Sequence, residues 1–171
     1  LFESVEGREN WARYSMIGLG ESTVFSCNAG ILTVQQGDGS ISQQDCSDPF
    51  QYIRDFQSQF KVPTQKELPD LPSFTGGLVG YLGYDAIRYI EPKLKNVPAA
   101  DPVTLPDLWL MLSQTVIVFD NLKDTLFLIH HADVNQADAY VQAQARLDQL
   151  EQLLAVPVSL QAKPHTPQIG R

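Results

Sequence analysis

Cysteine is scarce here. Cys27 and Cys46 are the only two, and neither lies at metal-ligand spacing from another Cys or a His. A disulfide-stapled secreted scaffold and a zinc module are thereby excluded. Two free thiols in a reducing compartment are expected, with a single Cys27–Cys46 disulfide as the alternative. Basic residues are also few, 12 Lys and Arg against 20 Asp and Glu, for a net charge of −8. They never gather into a patch, so a nucleic-acid partner is excluded. No eighteen-residue apolar run exists to make a transmembrane helix, and no basic segment leads into an apolar one as in a signal peptide. The expectation is a cytoplasmic protein with no membrane contact. An initiator Met is lacking too. Leu1 opens inside a patterned segment, so the chain is expected to be a piece cut from a longer one.

What is present suits one domain with one sizeable core. The chain has 171 residues, 43% of them apolar. Leu1-Phe2 reads as a strand end, Glu3-Ser4 and Gly7 as turn chemistry, and Arg13 to Ile17 as a resumed strand. Val24–Cys27 and Gly30–Gln35 read as strands joined by a turn at Asn28-Ala29-Gly30, and Gly37–Ser40 as a second turn. Asp48 caps a helix that begins with Pro49, has Gln51 at the capping-box position and runs to about Lys61. Val62–Ser73 and Glu91–Pro106, rich in proline, read as surface loops. Between them lie a strand over Thr75–Leu82 and a short helix over Tyr84–Ile90. Leu108–Phe119 and Thr125–His131 read as a hairpin turning at Asp120-Asn121. A helix over Asn135–Leu154 puts Tyr140, Leu147, Leu150 and Leu154 on one face. The order of elements predicts an α+β fold, a mostly antiparallel, sandwich-like sheet with helices packed on it.

Few residues propose chemistry. The run Gly76-Gly77-Leu-Val-Gly80-Tyr-Leu-Gly83 lacks the Lys and Ser/Thr of a phosphate loop. Glycine inside a strand marks close approach of another backbone or of a ligand, and the first reading is favoured. Period-two geometry puts Leu78, Gly80 and Leu82 on one face and Val79, Tyr81 and Gly83 on the other. His130 and His131 are adjacent on a strand and face opposite ways, so they form no metal site. No Ser-His-Asp or Cys-His layout is visible. Asp85 reads as a helix N-terminal carboxylate, Glu91 as a solvated end, and Trp11 and Trp109 as packing residues.

Three blocks carry a resemblance. The first is Leu1-Phe-Glu-Ser leading into Gly7-x-x-x-Trp11-x-Arg13-Tyr14-Ser15-x-Ile17-Gly18. The second is Phe74-Thr-Gly-Gly-Leu-Val-Gly-Tyr-Leu-Gly-Tyr-Asp-Ala-Ile-Arg-Tyr-Ile-Glu91. The third runs from Leu105-Pro-Asp-Leu to Val118-Phe-Asp120. In this order they resemble the anthranilate synthase component I family, over most of the chain to about residue 155. Phe2 departs mildly from the family's second Leu. Aminodeoxychorismate synthase component I shares much of the pattern and is the alternative. Glu3-Ser4, Trp11 and Arg13-Tyr14-Ser15 favour the tryptophan branch. A stand-alone interaction domain without enzymatic context is the reading from another class.

The resemblance implies a lyase that converts chorismate and ammonia, with Mg2+, into anthranilate and pyruvate. A glutamine amidotransferase subunit supplies the ammonia, and tryptophan inhibits. It implies that residues 1–156 are the N-terminal regulatory and structural domain. Residues 157–171 would be a linker toward a missing C-terminal chorismate-binding domain that holds the catalytic and Mg2+ residues. No catalytic or metal residue is carried over to this chain. In the family the Glu3-Ser4 position lines the tryptophan site, where a hydroxyl and main-chain groups hold an amino acid. Arg13 and Tyr14, close in sequence, join them as candidates, although a lone Ser, an exposed Arg and a sheet Tyr are each ordinary in a strand or turn. Cut free of its partner domain, such a chain is expected to self-associate through an apolar face.

Overall fold

A computed structural model describes residues 1–3, 13–19, 23–64, 66–94 and 105–157. The described strands are β1 (Phe2–Glu3), β2 (Tyr14–Leu19), β3 (Val24–Asn28), β4 (Ile31–Gln35), β5 (Ile41–Asp45), β6 (Gly77–Leu82), β7 (Leu108–Ser113), β8 (Thr115–Asp120) and β9 (Thr125–His130). The helices are α1 (Pro49–Ser58) and α2 (Ala139–Ala155), with 3-10 turns at Tyr84–Tyr89 and Pro92–Leu94. Two antiparallel sheets result, one in the order β1-β2-β8-β9 and one in the order β5-β4-β3-β7-β6. This is the α+β arrangement the sequence predicts.

The larger sheet is built on alternation. Phe25 and Cys27 of β3 and Leu32 and Val34 of β4 stand opposite one another and are buried on one face. Helix α1 covers that face with Ile53, Phe50, Tyr52 and Phe56. The Phe56 ring meets Phe25 edge-on at 4.7 Å. Asp48 caps α1 as expected, accepting from the Gln51 amide at 2.8 Å. The capping box does not close, because the Gln51 side chain bonds Asp55 and Arg54 instead. The helix also stops at Ser58, short of Lys61, and Phe60 reaches back to Phe56, the two rings tilted with centres 5.0 Å apart.

The β3–β4 hairpin turns on Ala29 and Gly30, both at positive φ, the geometry of a two-residue turn. Alanine pays a steric cost there. Outside partners hold the turn: Asp107 accepts from the Ala29 amide at 3.0 Å, and the Tyr89 hydroxyl accepts from the Gly30 amide at 2.9 Å. Tyr89 in turn donates to Asp107 at 2.7 Å, and the thiol of Cys27 donates to the Tyr89 hydroxyl at 3.5 Å. Both cysteines are free.

Four expectations need correction. Leu108–Phe119 is two strands, because the chain passes from one sheet to the other at Gln114. Strand β5 is exposed throughout, so Ile41-Ser-Gln-Gln-Asp45 gave no alternating signal, yet it pairs along all of β4. Helix α2 begins at Ala139, since Asp133 ties up Asn135 and Gln136 in a preceding turn. Tyr140 is 79% exposed there, whereas Leu150 is buried.

Gly80 justifies the close-approach reading. It pairs with Leu110, and a Cβ built on it would lie 2.0 Å from the Trp109 carbonyl oxygen. At Gly83 the nearest atom, the Asp107 carbonyl oxygen, is 3.3 Å away. Gly80→Ala is therefore expected to destabilise the chain by about 3 kcal/mol, and Gly83→Ala by about 1 kcal/mol or less. Urea unfolding of both variants checks this; equal losses would refute the contact.

Candidate functional site

The smaller sheet carries the residues singled out in the sequence. Glu3 lies in β1 and pairs with Ser15 of β2. Tyr14, the next residue along β2, pairs with Asp120 of β8. Arg13 stands at the entry to β2. Ser4 and Trp11 lie outside the described residues. The fold thus brings Glu3, Arg13 and Tyr14 to one end of the sheet.

Asp120, a turn residue and the end of the third block in the sequence, organises this end. It closes β8 and is 2% exposed. Arg13 grips it with a fork, Nε donating to Oδ1 at 2.9 Å and Nη2 to Oδ2 at 2.6 Å. The amides of Leu122 and Lys123 also donate to Oδ1, each at 3.2 Å. The guanidinium lies 4.8 Å from the centre of the Tyr14 ring. On the main chain, the Arg13 carbonyl accepts from Asn121 at 2.7 Å. A buried Asp must find cationic or amide partners, and this one has both. Arg13 hydrogen bonds, ahead of every other influence, draw its pKa down to about 2, and Asp120 raises that of Arg13. The sequence signal was a carboxylate ending an apolar strand, with an Arg bracketed by aromatics far upstream. Nothing in the spacing joins the two.

A second concavity lies between β9 and α2, lined by His130, Ala132, Val134, Tyr140, Ala143 and Leu147. His130 Nδ1 bonds the Thr115 hydroxyl at 2.8 Å, and His131 Nε2 bonds the Thr75 carbonyl at 2.9 Å. Burial, then the charge of Arg146, lowers the His130 pKa. Among the described residues, no Ser, Cys or carboxylate lines this cleft. Among the described residues, no group of three or more His, Cys, Asp or Glu could hold a metal ion, and no helix is long and apolar enough to cross a membrane.

With this geometry in hand, comparison gives the class first. The chain belongs to the chorismate-binding enzymes, whose family model matches residues 5–170. More particular relatives share one description. The chain is 73% identical over 165 residues to anthranilate synthase component 1 of Acinetobacter calcoaceticus, covering 96% of this chain and 33% of that protein. It is 42% identical to the Pseudomonas aeruginosa protein of the same name, covering 93% of this chain and 32% of the relative. For one from Neisseria meningitidis the identity is 44%, covering 97% and 34%. The chain spans about a third of the length of these relatives. The fold recurs in the crystal structure of anthranilate synthase component I from Streptococcus pneumoniae, with a TM-score of 0.63 at 21% identity, over 90% of this chain and 32% of that one.

The Arg13–Asp120 pair makes a pH prediction. Asp120 titrates at about 2 in the folded chain against an ordinary 3.8. Its contribution to stability is therefore complete above about pH 4 and is lost as pH falls toward 2. Asp120→Asn should flatten that acid limb in urea unfolding midpoints; a limb as steep as in the unsubstituted chain would refute the assignment.

Proposed function

We propose that this chain is the N-terminal regulatory and structural domain of an anthranilate synthase component I. Residues 1–156 form the domain, and residues 157–171 lead toward a chorismate-binding catalytic domain. The whole enzyme is a cytoplasmic lyase of tryptophan biosynthesis. It makes anthranilate and pyruvate from chorismate and the ammonia delivered by a glutamine amidotransferase subunit. Mg2+ belongs to the catalytic domain. Among the described residues no group of three or more His, Cys, Asp or Glu offers a ligand set for it. The shared name of relatives up to 73% identical supports this reading.

One observation carries the regulatory part. A two-residue edge strand bearing Glu3 is laid beside Ser15 and Tyr14, at the place where Arg13 is anchored. Free tryptophan offers an ammonium, a carboxylate and an indole. Glu3 and the Ser4 hydroxyl suit the ammonium, and the Tyr14 ring suits the indole. Arg13 commits Nε and Nη2 to Asp120, which leaves Nη1 for the carboxylate. Val79 and Tyr81 give the larger sheet an exposed apolar strip on the face opposite α1. The isolated chain self-associates through that strip, which the catalytic domain covers in the whole enzyme.

Two measurements test the proposal. The chain alone, given chorismate, Mg2+ and ammonia, should yield no anthranilate fluorescence above a protein-free control; a rising signal would place catalysis within it. In the full-length enzyme, Ser4→Phe should weaken tryptophan inhibition by roughly 5- to 150-fold, the range of a 1–3 kcal/mol coupling. An unmoved inhibition curve would remove Glu3-Ser4 from the effector site.

A further inference from the structure

We propose that Asp120 is a positioning residue of the effector site: through its fork with Arg13 it holds the entry to β2, on which β1 is paired, and so sets the strength of tryptophan inhibition without touching tryptophan. This rests on the regulatory reading above and adds a residue to it from the far side of the sheet.

Three observations lead there. First, Asp120 is buried, and both its oxygens are engaged, by Arg13 and by the amides of Leu122 and Lys123. It has little left to offer a ligand. Second, β1 lies at the sheet edge and pairs only with β2, through Phe2–Met16 and Glu3–Ser15. Glu3 can be no better placed than β2 is. Third, the entry to β2 is tied to β8 at this corner. The ties are the Arg13 fork, the Arg13 carbonyl bond from Asn121 and the Tyr14–Asp120 pairing.

The consequence follows from the ends of the pair. Arg13 is 30% exposed and Asp120 only 2%. If the carboxylate is neutralised, the guanidinium loses its buried partner but keeps access to water. It can swing outward and leave the Tyr14 ring on which it lay. The first pairs of β2 then fray, and the edge strand beyond them loses its fixed register. A ligand held by that strand would meet a site assembled for only part of the time, and its apparent affinity falls by that fraction.

The experiment uses the full-length enzyme and the tryptophan inhibition constant. Asp120→Asn should raise that constant about tenfold, within the usual range of coupling between sites, while uninhibited turnover stays at the wild-type level. Asp120→Glu, which keeps the charge but lengthens the arm of the fork, should raise it by less than Asp120→Asn does. If Asp120→Asn does not fold, Asp120→Glu carries the test alone: its inhibition constant should still exceed the wild-type one, at wild-type turnover. A wild-type inhibition constant in Asp120→Asn, beside a raised one in Ser4→Phe, overturns this inference and leaves the effector site standing. An inhibition constant in Asp120→Glu as high as that of Asp120→Asn, or higher, overturns it as well. If Ser4→Phe also leaves inhibition unmoved, the effector-site reading fails and this inference fails with it.

Discussion

Both sheets depend on one stretch of chain, Leu108 to Asp120, that serves first one and then the other. Strand β7 sits between β3 and β6, and β8 sits between β2 and β9. Only Gln114 separates them, and its carbonyl accepts from His131 at 2.9 Å. One residue earlier, Ser113 is buried against Gly18, where a Cβ would come within 2.8 Å of the Ser113 hydroxyl oxygen. Bare backbone at Gly18 lets β2 cross this corner. An interior strand in each sheet thus fixes where the two sheets lie relative to one another. Strand β8 is buried on both faces through Val116, Ile117 and Val118, which accordingly form an unbroken apolar run, whereas the middle of β7 is half-buried.

That run ends in a charge. Asp120 lies at the far end of β8, where the apolar interior gives way to the β8–β9 turn. Burying a carboxylate is unfavourable unless it is fully partnered. Here the partners come from two directions, the turn amides that follow and an arginine from the opposite end of the chain. An apolar pair could have closed this corner as stably. What the ion pair adds is orientation, because a forked guanidinium and a carboxylate meet in only a few geometries. Tyr14 gains from this, since its ring lies under a cation that is itself held.

The legible part of the sequence was the part with local causes. The Ala29-Gly30 turn, the Asp48 cap and the strand alternation of β3, β4 and β6 all follow from residues a few positions apart. Strand β5 was illegible because all of it is exposed, including Ser42 and Gln44 opposite Val34 and Leu32, so none of its positions need be apolar. The division of Leu108–Phe119 was marked only by the polar triplet Ser113-Gln114-Thr115, with no Gly or Pro to break the run, and both halves read as strand. Of the candidate site, Arg13 and Tyr14 were visible through their motif. Asp120 was not, because its role exists only after a contact spanning 107 positions has formed.

This division bears on how a remote site can govern an enzyme. A ligand can shift an equilibrium only through elements that have two arrangements. The larger sheet is a poor candidate, since α1 and the Tyr89–Asp107 bonds hold it from both ends. The edge of the smaller sheet is a better one. Strand β1 is two residues long, Leu1 and Phe2 are exposed, and its register depends on a single neighbour. A weakly held edge beside a firmly held ion pair has the asymmetry a switch requires. The pair defines one arrangement, and the edge strand is free to leave it. Strand β2 hands any such difference to β8, and β8 is continuous through Gln114 with the larger sheet.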